Sequence, residues 1–178
     1  MKALSEMSLE ELWQLFPIIL RPYSAEYPNW FRAEADLLQT QIAAIRRIRH
    51  IGSTAIPGIM SKPTVDILME IADHTDLKQL QKNLSACGYT QMAYMEKPYF
   101  ALDLCKGYTE NGFAERVFHL HVRNMGDWPE PKFCANLCAN PQLAREYEAL
   151  KIELAAQYKH NRDAYTSAKT AFVVQHSK

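Results

Sequence analysis

The stretch His50-Ile51-Gly52-Ser53-Thr54-Ala55-Ile56-Pro57-Gly58, continuing through Lys62-Pro63-Thr64-Val65-Asp66-Ile67-Leu68-Met69-Glu70-Ile71, decides the reading of this chain. It predicts a strand end, a Gly-Ser turn, a short helical or looped segment, and a buried strand that opens on a carboxylate. Gly52 frees the backbone for a sharp turn that a Cβ would obstruct. Ser53 offers a hydroxyl and exposed N–H groups that suit a phosphate, although a serine there is equally a plain cap. The spacing is not that of a P-loop, because no Lys-Ser/Thr follows Gly58. Lys62 comes four residues later, as a solvated lysine or one that reaches back to an anion.

Asp66 sits in a run that is otherwise apolar up to Glu70, where an unpartnered charge is costly. Side chains alternate along a strand, so Asp66, Leu68 and Glu70 share one face. At ~3.4 Å per residue, Asp66 and Glu70 lie about 13 Å apart, against about 7 Å for an i,i+2 pair. Magnesium–oxygen bonds are only ~2.1 Å, so Glu70 is a poor second ligand and Leu68 is no ligand at all. Asp103, on another strand, is the carboxylate left to join Asp66.

Outward from this stretch, Arg47 to Ile51 alternates polar and apolar and delivers the chain to Gly52. Ser8-Leu9-Glu10-Glu11 is a capping-box pattern that opens a helix ending before Pro17. Ile18-Ile19-Leu20 is an apolar run read as an edge strand. Pro28 falls in the first turn of a helix reaching about Ala44, and Thr75-Asp76 opens another that stops at Gly88. Tyr89 to Met95 and Pro98 to Cys105 read as strands. Lys106 to Glu115, with Gly107, Asn111 and Gly112, reads as a flexible loop.

Arg116 to Arg123 is the last strand. Within it, His119 and His121 share one face about 7 Å apart, close enough to converge on one ion or phosphate. Pro131 to Cys138, Pro141 to about Tyr158, and Arg162 to about Gln175 then carry helical spacing. Tyr165 and Lys169 stand four apart on one helix face. The pattern predicts an α+β fold with a mixed sheet of about five strands and a helical C-terminal third. It would form one domain, with residues 1–125 as the α/β core and 126–178 as a helical annex.

The 178 residues are 48% hydrophobic, enough to bury a core. Lys+Arg and Asp+Glu are 20 each, which argues against an extended nucleic-acid surface but leaves room for a local basic pocket. Cys87, Cys105, Cys134 and Cys138 lack zinc-finger spacing and read as reduced thiols. No signal peptide and no apolar run of ~18 residues is seen, so the expectation is cytoplasmic, with no membrane partner.

These motifs resemble the GrpB family of the nucleotidyltransferase superfamily, from about Arg21 to Phe172. The resemblance rests on Arg21-Pro22-Tyr23 with Trp30-Phe31, on the His50–Gly58 signature with Lys62-Pro63 and Asp66-Ile67, and on His119-Leu120-His121-Val122. Tyr147, Leu150-Lys151, Tyr165, Lys169 and Phe172 complete it. It implies a nucleotidyltransferase-like core in which Gly52-Ser53 holds nucleotide phosphates and Asp66 holds a divalent metal. The superfamily's second carboxylate is replaced by Leu68.

The resulting expectation is a nucleoside triphosphate bound with Mg2+ or another divalent metal, for nucleotidyl transfer to an unknown acceptor. Asp66 is the catalytic and metal residue, joined on the metal by His119 and His121. Gly52, Ser53, Lys62, Lys151 and Lys169 bind phosphate, and His50, Asp103 and Tyr165 are additional candidates. The alternative is a catalytically silent module that binds a nucleotide or phosphorylated metabolite. A transition-metal site on His119 and His121 is a third reading.

Overall fold

The computed structural model describes residues 2–178. Its frame is a five-stranded sheet of β1 (Ile45–Ile51), β2 (Thr64–Ile71), β3 (Thr90–Met95), β4 (Ala101–Thr109) and β5 (Gly112–Asn124). The strand order is β1-β2-β5-β4-β3. Only β2 and β5 run parallel; the other three pairings are antiparallel. The sheet is therefore mixed, as the sequence predicts.

Alternation sorts the sheet into two faces. Val65, Ile67, Met69 and Ile71 of β2 point one way and join Phe118, Leu120 and Val122 of β5 and Leu102 and Leu104 of β4 in the main core. Two helices cover that face, α2 (Tyr27–Gln41) and α3 (Leu77–Ala86), giving Tyr27, Leu38, Leu80 and Leu84 to the same cluster. Each fully buried apolar side chain here contributes about 1.5–3 kcal/mol. The short α1 (Leu9–Leu15) precedes them, with the expected capping box between Ser8 and Glu11.

The opposite face carries Asp66, Leu68 and Glu70 and meets α4 (Pro129–Ala139), α5 (Pro141–Gln157) and α6 (Arg162–Gln175). Ile56 and Ile59, in the loop after Gly52, insert among Phe133, Leu137, Ala144 and Tyr147 of α4 and α5. Ile51, Leu68 and Cys134 form a smaller cluster beside them. The helices are thus clamped onto the sheet by the loop that the opening motif encodes.

Two expectations are corrected. Ile18-Ile19-Leu20 is not a strand; Ile18 packs on Leu154 and Tyr165, and only Arg21 forms a bridge, to Ser61. Residues 106–115 are not a flexible loop but the tip of the β4–β5 hairpin, with Tyr108 paired to Phe113 and Thr109 to Gly112. Gly107 marks a register shift between Lys106 and Tyr108 and has φ +91°. A Cβ there would stand 2.3 Å from the Arg116 carbonyl oxygen. The glycine serves a β-bulge, which kinks a strand without ending it.

Candidate functional site

The site is built where β2 and β5 run side by side in parallel. Their register sets Asp66 beside His119 and Leu68 beside His121. Across β5, His121 faces Asp103 of β4. Four polar side chains from three adjacent strands therefore project toward the C-terminal helices.

Asp66 Oδ1 lies 3.2 Å from His119 Nδ1 and 3.6 Å from His121 Nε2. His121 Nδ1 lies 3.0 Å from Asp103 Oδ1, which also takes Arg123 Nη1 at 2.8 Å. Burial raises the Asp66 pKa, but hydrogen bonds from His119 and His121 and their charges more than reverse this and hold it below the usual carboxylate range. Burial likewise lowers His121, yet Asp103 and Asp66, one at each ring nitrogen, push it up to about 9. His121 is an imidazolium at neutral pH.

His119 differs. Burial pushes it down to about 4 against the pull of Asp66, so it is neutral at pH 7. An ionised carboxylate only accepts, so Nδ1 carries the proton and Nε2 is left as the acceptor. The Tyr108 hydroxyl donates to that nitrogen at 2.8 Å, with Arg162 Nη2 at 3.3 Å. Burial raises Tyr108 to about 12, which keeps it a donor.

Gly52 closes the other side of Asp66. Its φ of 72° and ψ of −172° suit glycine almost alone. A Cβ on it would stand 2.4 Å from Asp66 Oδ2. Ser53 follows at the start of a single 3₁₀ turn, Ser53–Ala55, and its hydroxyl faces Tyr147 of α5. The turn is too short to supply the aligned dipole of a longer helix, so an anion here must be met chiefly by side chains.

Cations meet that need. Lys62 precedes β2, Lys151 comes from α5, and Arg162 and Lys169 come from α6. Among the described residues none of the four forms an ion pair. Lys169 Nζ sits 4.2 Å from the Tyr165 ring centroid, Lys62 Nζ lies 5.8 Å from the same ring, and Lys151 Nζ is 4.9 Å from that of Tyr147. Lys151 also donates to the Met60 carbonyl.

Burial and mutual repulsion depress these lysines. Lys62 falls to about 7 through burial and then the charges of Arg162 and Lys169. Lys151 falls to about 7 through burial and Lys169. Lys169 falls to about 8 through burial and Arg162, with Asp66 opposing. Lys62 and Lys169 feel Asp66 while Lys151 feels Glu148, and cations in excess of these carboxylates, with aromatic faces as their neighbours, are arranged to receive an anion.

Divalent metal fits these residues poorly. A two-metal site wants two or three carboxylates. Leu68 is packed against Ile51 and Cys134, and Asp103 is held by His121 and Arg123. Both nitrogens of each histidine already face protein partners. Among the described residues no three His, Cys, Asp or Glu side chains converge as a metal-holding group.

The remaining candidates sort cleanly. Asp103 joins the network, and Tyr165 is buried beneath Lys62 and Lys169. His50 does not line this face. It stacks on Phe31 of α2 at 5.0 Å, and its Nε2 lies 3.0 Å from Thr54 Oγ1. Thr54 donates to the Thr64 carbonyl at 3.1 Å, so His50 must be the donor to Thr54 and pins the turn from behind. Glu70 is held by Arg47 at 2.6 Å and Arg49 at 2.8 Å, away from Asp66, as the spacing argument expects. Tyr108 is a site residue that pattern alone does not single out, and Arg162 and Tyr147 join it from the C-terminal helices.

A family model described as GrpB protein matches residues 17–178. The glutamate-rich protein GrpB of Alkalihalophilus pseudofirmus is 34% identical, over 88% of this chain and 91% of its own length. A UPF0157 protein of Pseudomonas aeruginosa is 32% identical, over 86% of this chain and 64% of its own. Among solved structures, the conserved protein GrpB from Enterococcus faecalis superposes with a TM-score of 0.76 at 26% identity, covering 89% of this chain and 94% of that one. Terminal uridylyl transferase 4 from Trypanosoma brucei, solved with bound dUTP, has a TM-score of 0.52 at 14% identity, over 86% of this chain and 53% of that one. The last likeness shows a nucleotidyltransferase-like fold. The chain belongs to the GrpB family.

Proposed function

We propose that this pocket binds the phosphate groups of a nucleotide or similarly phosphorylated small molecule, as a binding module whose own cations replace a divalent metal. The observation that carries this reading is the convergence of Lys62, Arg162 and Lys169 without ion-pair partners around the Asp66 network, with Lys151 beside Lys169. Fixed cations in a partly dry pocket stabilise phosphate without the reorganisation that water requires. Ser53 and the Gly52 turn supply polar contacts at one wall. Asp66 orients His119 and His121, and Asp103 together with Asp66 keeps His121 charged.

The nucleotide in this reading is supported by fold likeness to a uridylyl transferase solved with dUTP. Nucleotidyl transfer itself is the second reading, favoured by Asp66 standing against Gly52 on that fold. The two part on one assay. Binding of ATP or UTP without pyrophosphate release, lost in Lys169→Ala, supports the module. Pyrophosphate release that depends on magnesium and disappears in Asp66→Asn supports the transferase and overturns the module.

The four cysteines are free, which suits a reducing compartment such as the cytoplasm. Among the described residues no helix is long and apolar enough to cross a membrane.

A further inference from the structure

A cleft of about 510 Å³ opens beside the phosphate pocket and shares Lys62 and Arg162 with it. One wall is a cluster of three rings from α1's end and the β4–β5 hairpin. Phe16 lies 4.7 Å from Tyr108 and 5.0 Å from Phe113, centroid to centroid. Tyr27 and Trp30, with ring centroids 5.5 Å apart, also line the cleft. Arg21 adds a third cation to the lining, against one carboxylate, Glu115.

The β4–β5 hairpin sets the position of these rings. Thr109 Oγ1 donates to the Gly112 carbonyl at 2.8 Å, and the bulge at Gly107 turns Tyr108 to where its hydroxyl reaches His119. Tyr108 therefore belongs to both spaces, with its ring on the cleft and its hydroxyl on the Asp66 network. Arg162 lies 5.8 Å over the Tyr108 ring and also reaches His119. Aromatic walls leading to paired cations suit a flat ring that carries a phosphate.

We propose that this cleft is a ring-binding subsite for the ligand's non-phosphate part. A planar ring would lie between the Phe16–Tyr108–Phe113 wall and Trp30, with its phosphate on Lys62 and Arg162. The inference rests on the phosphate reading above and names the class of ligand that the pocket takes. The ring is a nucleobase or a simple aryl group, since both present the same flat face.

Calorimetric titration with three probes tests it: ribose 5-phosphate, adenosine 5′-monophosphate and phenyl phosphate. Stacking of a ring on aromatic side chains is expected to tighten binding at least about tenfold over ribose 5-phosphate. That advantage should vanish in Ala114→Trp, which fills the cleft from an exposed position, with ribose 5-phosphate bound as before. Phe113→Ala, which removes part of one wall, should reduce the advantage in the same sense. An advantage for the nucleotide alone identifies a nucleobase, and one for both ring probes identifies a general ring site. Ribose 5-phosphate binding with no ring advantage, or an advantage that survives both variants, overturns the subsite alone. No binding by any probe overturns the phosphate reading as well.

Discussion

Gly52 and Asp66 are built as one unit: a Cβ at residue 52 would stand 2.4 Å from Oδ2 of Asp66 and 3.0 Å from its Cβ. The turn and the strand are thereby fitted to each other at the carboxylate. Gly52→Ala is expected to destabilise by about 1–3 kcal/mol from backbone strain alone, with the clash added. In an Asp66→Ala background the Oδ2 clash is gone, and the strain and the 3.0 Å approach to the residue 66 Cβ remain. Urea denaturation of the two single variants and the double variant should show coupling of that sign. Additive effects would mean that the turn does not press on Asp66.

Leu68 is a packing residue on the same face of β2 as Asp66. It is buried among Ile51, Cys134 and Trp128, so Leu68→Ala should cost about 2–5 kcal/mol. Phosphate affinity measured well below the melting temperature should stay within about threefold, because Leu68 packs into an apolar cluster with Ile51, Cys134 and Trp128. A stability loss under 1 kcal/mol, on the order of a surface change, would contradict this placement.

Glu70 is expected to act on stability and not on ligand binding. It is fully buried and held by Arg47, Arg49 and the Gly126 amide. Glu70→Gln should cost about 1.5–3 kcal/mol, towards the lower end because both arginines are partly open to water. Thermal unfolding and phosphate titration of the same variant separate the two roles.

Binding should weaken as pH rises. Lys62 and Lys151 fall to about 7 and Lys169 to about 8, so all three lose charge between pH 6 and 9 in the free protein. A bound phosphate favours their charged forms, so binding takes up protons above pH 7. The sign for stability is opposite. Between pH 7 and the unfolded lysine value near 10.5, the unfolded chain holds more protons, so these groups make the folded state more stable as pH rises. Calorimetry in buffers of different ionisation enthalpy reads the proton uptake directly. Affinity that is flat from pH 6 to 9 would contradict the depressed lysines.

The β2 pattern was the most legible part of the chain. Alternation alone separates Val65, Ile67, Met69 and Ile71 from Asp66, Leu68 and Glu70, and strand geometry alone removes Glu70 from the site. The parallel pairing of β2 with β5 then brings the two histidines to Asp66. His50 was less readable, because the face it takes depends on the Ile51–Asp66 register, which no local pattern states. Gly107 misled for a related reason: one glycine signals both a loop and a bulge, and only the Arg116 backbone behind it decides. Arg162 and Tyr108 come together through His119, from segments separated by more than 50 positions, so spacing carries no trace of their meeting.

The cations around Asp66 carry the central claim, and titration of the protein with inorganic tripolyphosphate in EDTA tests it most directly. The expected result is saturable binding without divalent metal, weakened at least about tenfold in Lys62→Ala and in Lys169→Ala, each with thermal unfolding unchanged or raised. Binding that appears only when magnesium is added, and that neither lysine variant alters, would contradict it.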